Sequence, residues 1–141
     1  MMRPLSGRTV FVTRPAGREN PLLNRLRKLG GRAVHTPAIK FKAPASWKKI
    51  DAALKRFESF DTVIFTSVTA VDAFMKRAGK RKRPRFVYAI GPATQNAVAA
   101  LGWKKASTRL DKIRGKNILF PRAEAAREDL PKALRKNGAR V

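Results

Sequence analysis

The 141-residue chain carries 33 lysines and arginines against 9 acidic residues, a formal charge of +24, and 43% of it is apolar. That length and apolar content suit roughly one folded domain, and the absence of cysteine excludes a disulfide scaffold, a thiolate nucleophile and a cysteine zinc site. With His35 the one histidine, a histidine-built metal centre or a Ser-His triad has little to stand on. No segment approaches the roughly 20 apolar residues of a membrane span, and Met1 to Arg8 lack the apolar stretch of a secretory signal. A cytoplasmic protein without membrane insertion is expected. So large a basic excess favours polyanionic partners: nucleic acid, phosphate-rich lipid or polycarboxylated small molecules.

Along the chain, Arg8 to Thr13 form a short run rich in β-branched and aromatic residues, and Arg14-Pro15-Ala16-Gly17 breaks it, which predicts a strand ending in a loop. From Asn20, Leu22, Leu23, Leu26 and Leu29 recur at helical spacing, with Pro21 in the first turn and Gly30-Gly31 where a left-handed cap is wanted. Ala33 to Phe41 returns to extended character, and Pro37 marks an edge or a strand end. A helix from Ser46 or Trp47 to Phe57 places Ile50, Ala53, Leu54 and Phe57 on one face. A strand over Thr62–Thr66 follows, then a helix near Val68–Lys76 and a strand over Phe86–Ile90. Gly91-Pro92 turns into a helix over Ala93–Leu101, a weak strand follows around Lys105–Ser107, and Ile118–Phe120 form a last strand. Short apolar strands alternating with amphipathic helices predict an α/β fold with a parallel sheet, whose ligands bind beyond the strand C-termini.

The chain also repeats itself. A shift of 108 positions lays residues 7–33 on residues 115–141 without a gap and matches eight identities: Gly7/Gly115, Arg14/Arg122, Leu22/Leu130, Leu26/Leu134, Arg27/Arg135, Lys28/Lys136, Gly30/Gly138 and Arg32/Arg140. The second copy reaches Val141 where the first enters its second strand, so the chain is expected to end inside a unit.

Phe65-Thr66-Ser67 puts two hydroxyls between a strand and a helix, where they can cap the helix or share an anion with its exposed amides; both readings hold together. Ile90-Gly91-Pro92-Ala93-Thr94 repeats the arrangement. The chain has neither the glycines and lysine of a P-loop nor a G-x-G-x-x-G run, so no nucleotide cofactor is inferred. Glu124 and Glu128 stand at helical spacing beside Arg127, which fits complementation of a helix dipole and an ion pair with Arg122 or Arg127 better than an acid pair for catalysis. The run Lys76–Arg85 reads either as a solvated loop or as a phosphate-binding patch without base specificity, and no interleaved aromatics offer stacking platforms. Trp47 and Trp103 read as packing residues.

Taken in order, Gly7-Arg8-Thr9-Val10-Phe11-Val12-Thr13-Arg14-Pro15, Leu29-Gly30-Gly31, Pro37-Ala38-Ile39, Phe65 to Val71, Ile90 to Thr94 and Pro121 to Arg127 resemble uroporphyrinogen-III synthase over nearly the whole chain. The resemblance implies a cofactor-free lyase of haem and related tetrapyrrole biosynthesis, which closes linear hydroxymethylbilane into uroporphyrinogen III while inverting ring D. It implies two similar flavodoxin-like α/β domains with helices on both sheet faces. Residues 1–36 would be the strand-helix-strand unit of a first, incomplete domain, and residues 37–141 a second α/β domain truncated at its C-terminal end. It implies a substrate with eight carboxylates, held by Thr66, Ser67, Thr94 and Arg122 with adjacent amides, and by Thr13 and Arg14 from the first repeat. It names no catalytic residue here: the tyrosine usually regarded as important lies just beyond the point matching Val141, and Tyr88, in a strand, does not correspond to it.

Two features lie outside the family pattern: the missing return of the chain to the first domain, and a charge beyond what one polycarboxylate requires. The first implies self-association through the unpaired repeat unit. The second keeps open an alternative reading, a noncatalytic basic module on the same fold that binds nucleic acid.

Overall fold

Thr9-Val10-Phe11-Val12 forms strand β1 (Thr9–Val12), the expected product of a β-branched and aromatic run, in a computed structural model that describes residues 3–15, 21–103 and 112–141. The helix α1 (Pro21–Lys28) follows, then β2 (Arg32–His35), which pairs with β1 in parallel from Thr9↔Arg32 to Val12↔His35. Parallel neighbours need a crossover, which α1 supplies. α1 closes as the glycines require: Gly30, at φ +87°, donates its N–H to Arg27, and Gly31 donates to Leu26, the paired bonds of a Schellman cap. β2 ends at His35, yet the Thr36 and Ala38 N–H groups still donate to the Val12 and Thr13 carbonyls, so Pro37 between them, which has no N–H, sits where its nitrogen faces away from β1. These elements lie in the first of two compact units, Met1–Ala43 and Pro44–Val141.

The second unit opens with α2 (Lys48–Lys55) and a single 3-10 turn, Phe57–Ser59, ahead of β3 (Thr62–Phe65). It continues through α3 (Val68–Ala78), β4 (Phe86–Ala89), α4 (Pro92–Ala100), β5 (Ile118–Leu119) and α5 (Asp129–Lys136). The predicted weak strand around Lys105–Ser107 falls outside the described residues. The sheet order is β4-β3-β5, all parallel, with Thr62↔Phe86 on one side of β3 and Thr62↔Ile118 on the other. The Ile118 N–H and Lys116 C=O point away from β3 and bond to Arg140, extending the sheet by a bridge between Asn117 and Arg140. The chain thus leaves β3 for β4 on one side and crosses to β5 on the other, the strand order of a flavodoxin-like sheet, whose switch point lies between β3 and β5.

Each face of this sheet is covered by its own cluster. Val63, Phe65, Val87 and Ala89 pack with Leu54, Phe57, Val71, Phe74, Val98 and Trp103, whereas Ile64, Tyr88 and Ile118 pack with Leu134 and Ala139 on the opposite face. Alternate residues of β3 serve alternate faces, and all four are buried. In the first cluster Phe74 lies 5.5 Å from Phe65, 6.0 Å from Phe57 and 6.5 Å from Trp103 between ring centroids, contacts worth roughly 0.5 to 1.5 kcal/mol each beyond burial. Trp103 is a core residue, as expected. Trp47 is half-buried beneath the Arg77 guanidinium, 5.6 Å from the ring centroid.

The 108-residue repeat survives at the level of single bonds. α1 and α5 have the same bounds once shifted. Gly7 and Gly115 both sit at φ +73°, and Gly30 at +87° corresponds to Gly138 at +83°. The bond from Arg32 N–H to Arg8 C=O recurs from Arg140 to Lys116, and the Schellman pair recurs from Gly138 to Arg135 and from Ala139 to Leu134. Surroundings separate the copies: Leu134 is 2% exposed, while its counterpart Leu26 is half-buried and α1 buries no residue fully.

Expectation and structure differ at Glu124. The residue lies in a turn rather than in the first turn of a helix, and α5 begins only at Asp129, with Glu128 at its N-cap. The Arg122 guanidinium accounts for the delay, since it takes the Ala126 and Arg127 carbonyls at 2.8 and 2.9 Å and pairs with the Glu128 carboxylate.

Phe74→Ala is expected to destabilise the protein by about 3 to 5 kcal/mol in urea unfolding, because it empties the centre of the larger cluster. Phe11→Ala, at a position 64% exposed, should cost under about 1 kcal/mol. A loss at Phe74 as small as that at Phe11 would show that the larger cluster is not what holds the second unit together.

Candidate functional site

Because β3, β4 and β5 are parallel, the loops that follow them all leave from one edge of the sheet. That edge gathers Thr66 and Ser67 after β3, Ile90 and Gly91 after β4, and Phe120, Pro121 and Arg122 after β5. Two helices begin there almost at once. α3 starts three residues beyond β3, with Ser67 as N-cap in extended conformation, its Oγ accepting the Ala70 N–H at 3.1 Å. α4 starts beyond β4 with Gly91 at φ +84° and Pro92 in its first turn, and no side chain caps it. Proline has no amide and suits the first helical position, and the glycine reaches a left-handed conformation without strain. The first-turn amides of α4 therefore face the edge without a cap from the N-cap residue. The positive ends of α3 and α4, helices that pack on each other, point the same way.

The site residues named from sequence divide between the two units. Thr13 and Arg14 follow β1 in the first unit and are exposed. Their backbone is tied down: the Thr13 carbonyl accepts the Ala38 N–H at 3.1 Å, and the Arg14 carbonyl lies 2.8 Å from His35 Nε2. The histidine thus serves to hold a loop. In the second unit Thr66 and Ser67 are exposed at the edge, while Thr94 is 4% exposed inside the first turn of α4. What Thr94 presents to the edge is a first-turn amide rather than a free hydroxyl. Arg122 is 23% exposed and spends its donors within its own loop.

Sequence reasoning passed over Ile90, which is 45% exposed between the two hydroxyl-bearing turns. Its N–H donates to the Phe65 carbonyl at 2.9 Å, holding the β4 loop beside the β3 loop. An apolar residue at a strand end carries no sequence signal that separates it from the strand itself. Gln95 reaches back in the same region, its Nε2 donating to the Ala89 carbonyl at 3.4 Å.

Electrostatically this edge is balanced. Between residues 120 and 128, Arg122 and Arg127 are matched by Glu124 and Glu128, and the turns after β3 and β4 carry no charge. Arg122 pairs with Glu128, and Arg135 stands 3.8 Å from the same carboxylate. An anion at this edge would meet amides, hydroxyls and helix dipoles more than net charge. Elsewhere in the unit Arg77 makes two 2.7 Å bonds to Asp51, which hold the Asp51 carboxyl below its ordinary range. No group of three or more His, Cys, Asp or Glu side chains that could hold a metal occurs among the described residues, and no described helix is long and apolar enough to cross a membrane.

Residues 20–141 match the family profile described as uroporphyrinogen-III synthase HemD. The chain is 30% identical over 157 aligned positions to a uroporphyrinogen-III synthase of Synechococcus elongatus, an alignment that covers 99% of the chain and 60% of the relative. It is 31% identical over 147 positions to a protein of Methanothermobacter thermautotrophicus provisionally given the same name, covering 92% of the chain and 58% of that relative. The chain therefore spans about 60% of the length of these curated relatives.

Arg122→Lys removes the planar fork that reaches two carbonyls and a carboxylate together. Amide exchange across residues 123–128 is expected to accelerate at least tenfold, with the amides of β3 still protected. Unchanged exchange in the loop would mean that it keeps its shape without the guanidinium. Ser67→Ala should cost about 0.5 to 2 kcal/mol of stability through the lost cap, with Ser67→Asn recovering most of it.

Proposed function

The chain belongs to the uroporphyrinogen-III synthase family, and from that premise we propose that it acts in tetrapyrrole biosynthesis, cyclising hydroxymethylbilane to uroporphyrinogen III with inversion of ring D. The observation that carries the reading is the convergence of the β3, β4 and β5 loops, with the N-termini of α3 and α4, at the switch-point edge of a flavodoxin-like sheet. Carboxylates of a linear tetrapyrrole suit such a surface, which can receive each of them on amides and hydroxyls. Thr66 and Ser67 would supply hydroxyls, Thr94 its amide, and Arg122 the shape of the β5 loop. Thr13 and Arg14 are the corresponding candidates of the first unit.

The chemistry asks little of acid-base groups. Loss of the terminal hydroxyl leaves an azafulvenium-like cation, which closes through a spiro intermediate, and unassisted closure gives the uninverted isomer. The protein's share is to hold a flexible chain in the less accessible geometry and to favour developing charge, which is positioning and electrostatic preorganisation. A balanced, dipole-lined edge fits that role, because it can hold carboxylates without neutralising them in one fixed pattern.

The repeat, with its shared glycine conformations, helix caps and strand bonds, supports a two-domain arrangement, in which the β1-α1-β2 unit begins one flavodoxin-like domain as residues 115–141 continue the other. In the second unit the edge of β5 equivalent to the open edge of β1 is taken by β3, at Ile118 and Leu119. A strand of the same apolar character would lie against Val10 and Phe11, the latter 64% exposed, whether from further chain or from a second copy.

Freshly generated hydroxymethylbilane, incubated with the 141-residue chain and resolved into type I and type III products by chromatography, tests the reading. A type III fraction above the spontaneous background is expected. Type I alone, from protein whose circular dichroism shows it folded, would overturn the activity for this chain.

A further inference from the structure

The net charge of the second unit is concentrated at the edge of the sheet opposite the proposed substrate site. The described residues that lead directly into β3, β4 and β5 are 55–61, from the last residue of α2, 79–85 and 112–117. They carry ten cations, Lys55, Arg56, Lys80, Arg81, Lys82, Arg83, Arg85, Lys112, Arg114 and Lys116, against two carboxylates, Glu58 and Asp61. At the other edge arginines and glutamates balance. A polycarboxylate held beyond the strand C-termini leaves this excess unexplained.

Local structural needs account for only part of it. Helix C-termini point to this edge and favour cations, and Arg81 answers that need by donating Nε to the Ala78 carbonyl at the end of α3 (3.0 Å). Asp61 is committed to the backbone, accepting the Asn117 N–H at 2.9 Å. Glu58 lines a surface cavity of about 380 Å³ together with Lys55, Arg56 and Arg81, where cations outnumber it. Lys80, Lys82, Arg85 and Lys112 are exposed and make no ion pair among the described residues.

The surface is cationic without being apolar. Phe86 lies under Arg85 at 5.3 Å and Lys116 at 5.6 Å, and Phe60 lies under Arg56 at 5.5 Å. An interfacial membrane surface presents apolar side chains for burial among acyl chains, whereas here the aromatic faces are already roofed by cations. The large apolar residues that are most exposed, Phe11, Ile39, Phe41 and Ile90, all lie elsewhere.

We infer that the strand-entry edge of the second unit, built from the loops at residues 55–61, 79–85 and 112–117, is a binding surface for the phosphodiester backbone of nucleic acid, without base readout. Three neighbouring strands at about 4.8 Å spacing set the loops across roughly 10 Å. A duplex carries one charge per about 1.7 Å of axis, so about six phosphates fall within reach. The site is separate from the strand-exit edge, and occupancy of one leaves the other open.

Fluorescence anisotropy with a labelled 20-base-pair duplex of random sequence tests this on the whole chain. Six phosphate contacts predict that the affinity falls by about a thousandfold or somewhat more between 50 and 200 mM salt. The combined variant Lys80→Gln, Lys82→Gln, Arg85→Gln, Lys112→Gln is compared with Lys42→Gln, Lys48→Gln, Lys49→Gln, Lys132→Gln, which removes as many exposed cations outside the three loops. Circular dichroism verifies that both are folded. At fixed salt the first should bind at least thirtyfold more weakly, with its salt slope reduced by about 3, and the second should weaken severalfold at most. Equal losses in the two variants would overturn the inference in favour of diffuse charge. So would unchanged binding by the first, or binding to phosphatidylserine vesicles by a chain that ignores the duplex.

Discussion

The second unit depends on one strand. β3 has all four residues buried, a parallel neighbour on each side and a hydrophobic cluster on each face. A parallel strand enclosed in this way cannot be reached by a hairpin, so the chain must cross over through helices, and those helices must lie on both faces. Once they do, the faces are closed and the polar work of the molecule moves to the two ends of the strands. At one end the chain passes directly into α3 and α4 and presents helix N-termini. At the other it arrives from helix C-termini through longer loops. The differing chemistry of the two edges thus follows from burying a single strand.

The repeated unit shows the same local code read in two settings. Gly7 with Gly115 and Gly30 with Gly138 hold the same left-handed conformations, and the two Schellman caps have the same bonds. These features are local, and they have the same geometry in both copies although the two helices are buried to different extents. Burial is not local. Leu134 packs with Ile64, Tyr88 and Ile118 and is shielded from solvent, while Leu26, on a helix that is also amphipathic, is only half-buried. Tertiary packing, rather than helix propensity, supplies most of a short helix's stability, so the two copies differ in stability far more than in shape.

This division also sets what could be read from the sequence. Strand and helix positions were legible from β-branched runs, leucine spacing and glycines, and so was the capping of α3 by Ser67. Three things were not. Thr94 looks like Ser67's counterpart beyond the next strand, yet Gly91 takes the cap position and turns the threonine inward. Glu124 has helical spacing from Glu128, but Arg122 draws the intervening carbonyls to itself and postpones the helix. The third is strand order: nothing in a one-dimensional pattern states that β3 lies between β4 and β5, because pairing partners 56 residues apart, such as Thr62 and Ile118, are chosen by the packed core.

Strand order, in turn, gives the charge a location. Read along the chain, Lys76–Arg85 is a solvated loop or a binding patch, with no means of choosing. Folded, its cations from Lys80 onward stand beside Lys55 and Arg56 from one loop and Lys112, Arg114 and Lys116 from another, because three parallel strands begin side by side. Like charges brought together in this way repel, and at roughly neutral cost in water each would be better placed on a helix face with acidic neighbours. The fold does the reverse: each edge receives two acids, Glu124 and Glu128 against Arg122 and Arg127 at the strand-exit edge, but Glu58 and Asp61 against ten cations at the strand-entry edge. The proposed substrate site would draw its anion affinity from the amides and dipoles of the exit edge. The nucleic-acid surface inferred above lies at the entry edge, so the two proposals occupy opposite ends of the same sheet rather than competing for one site.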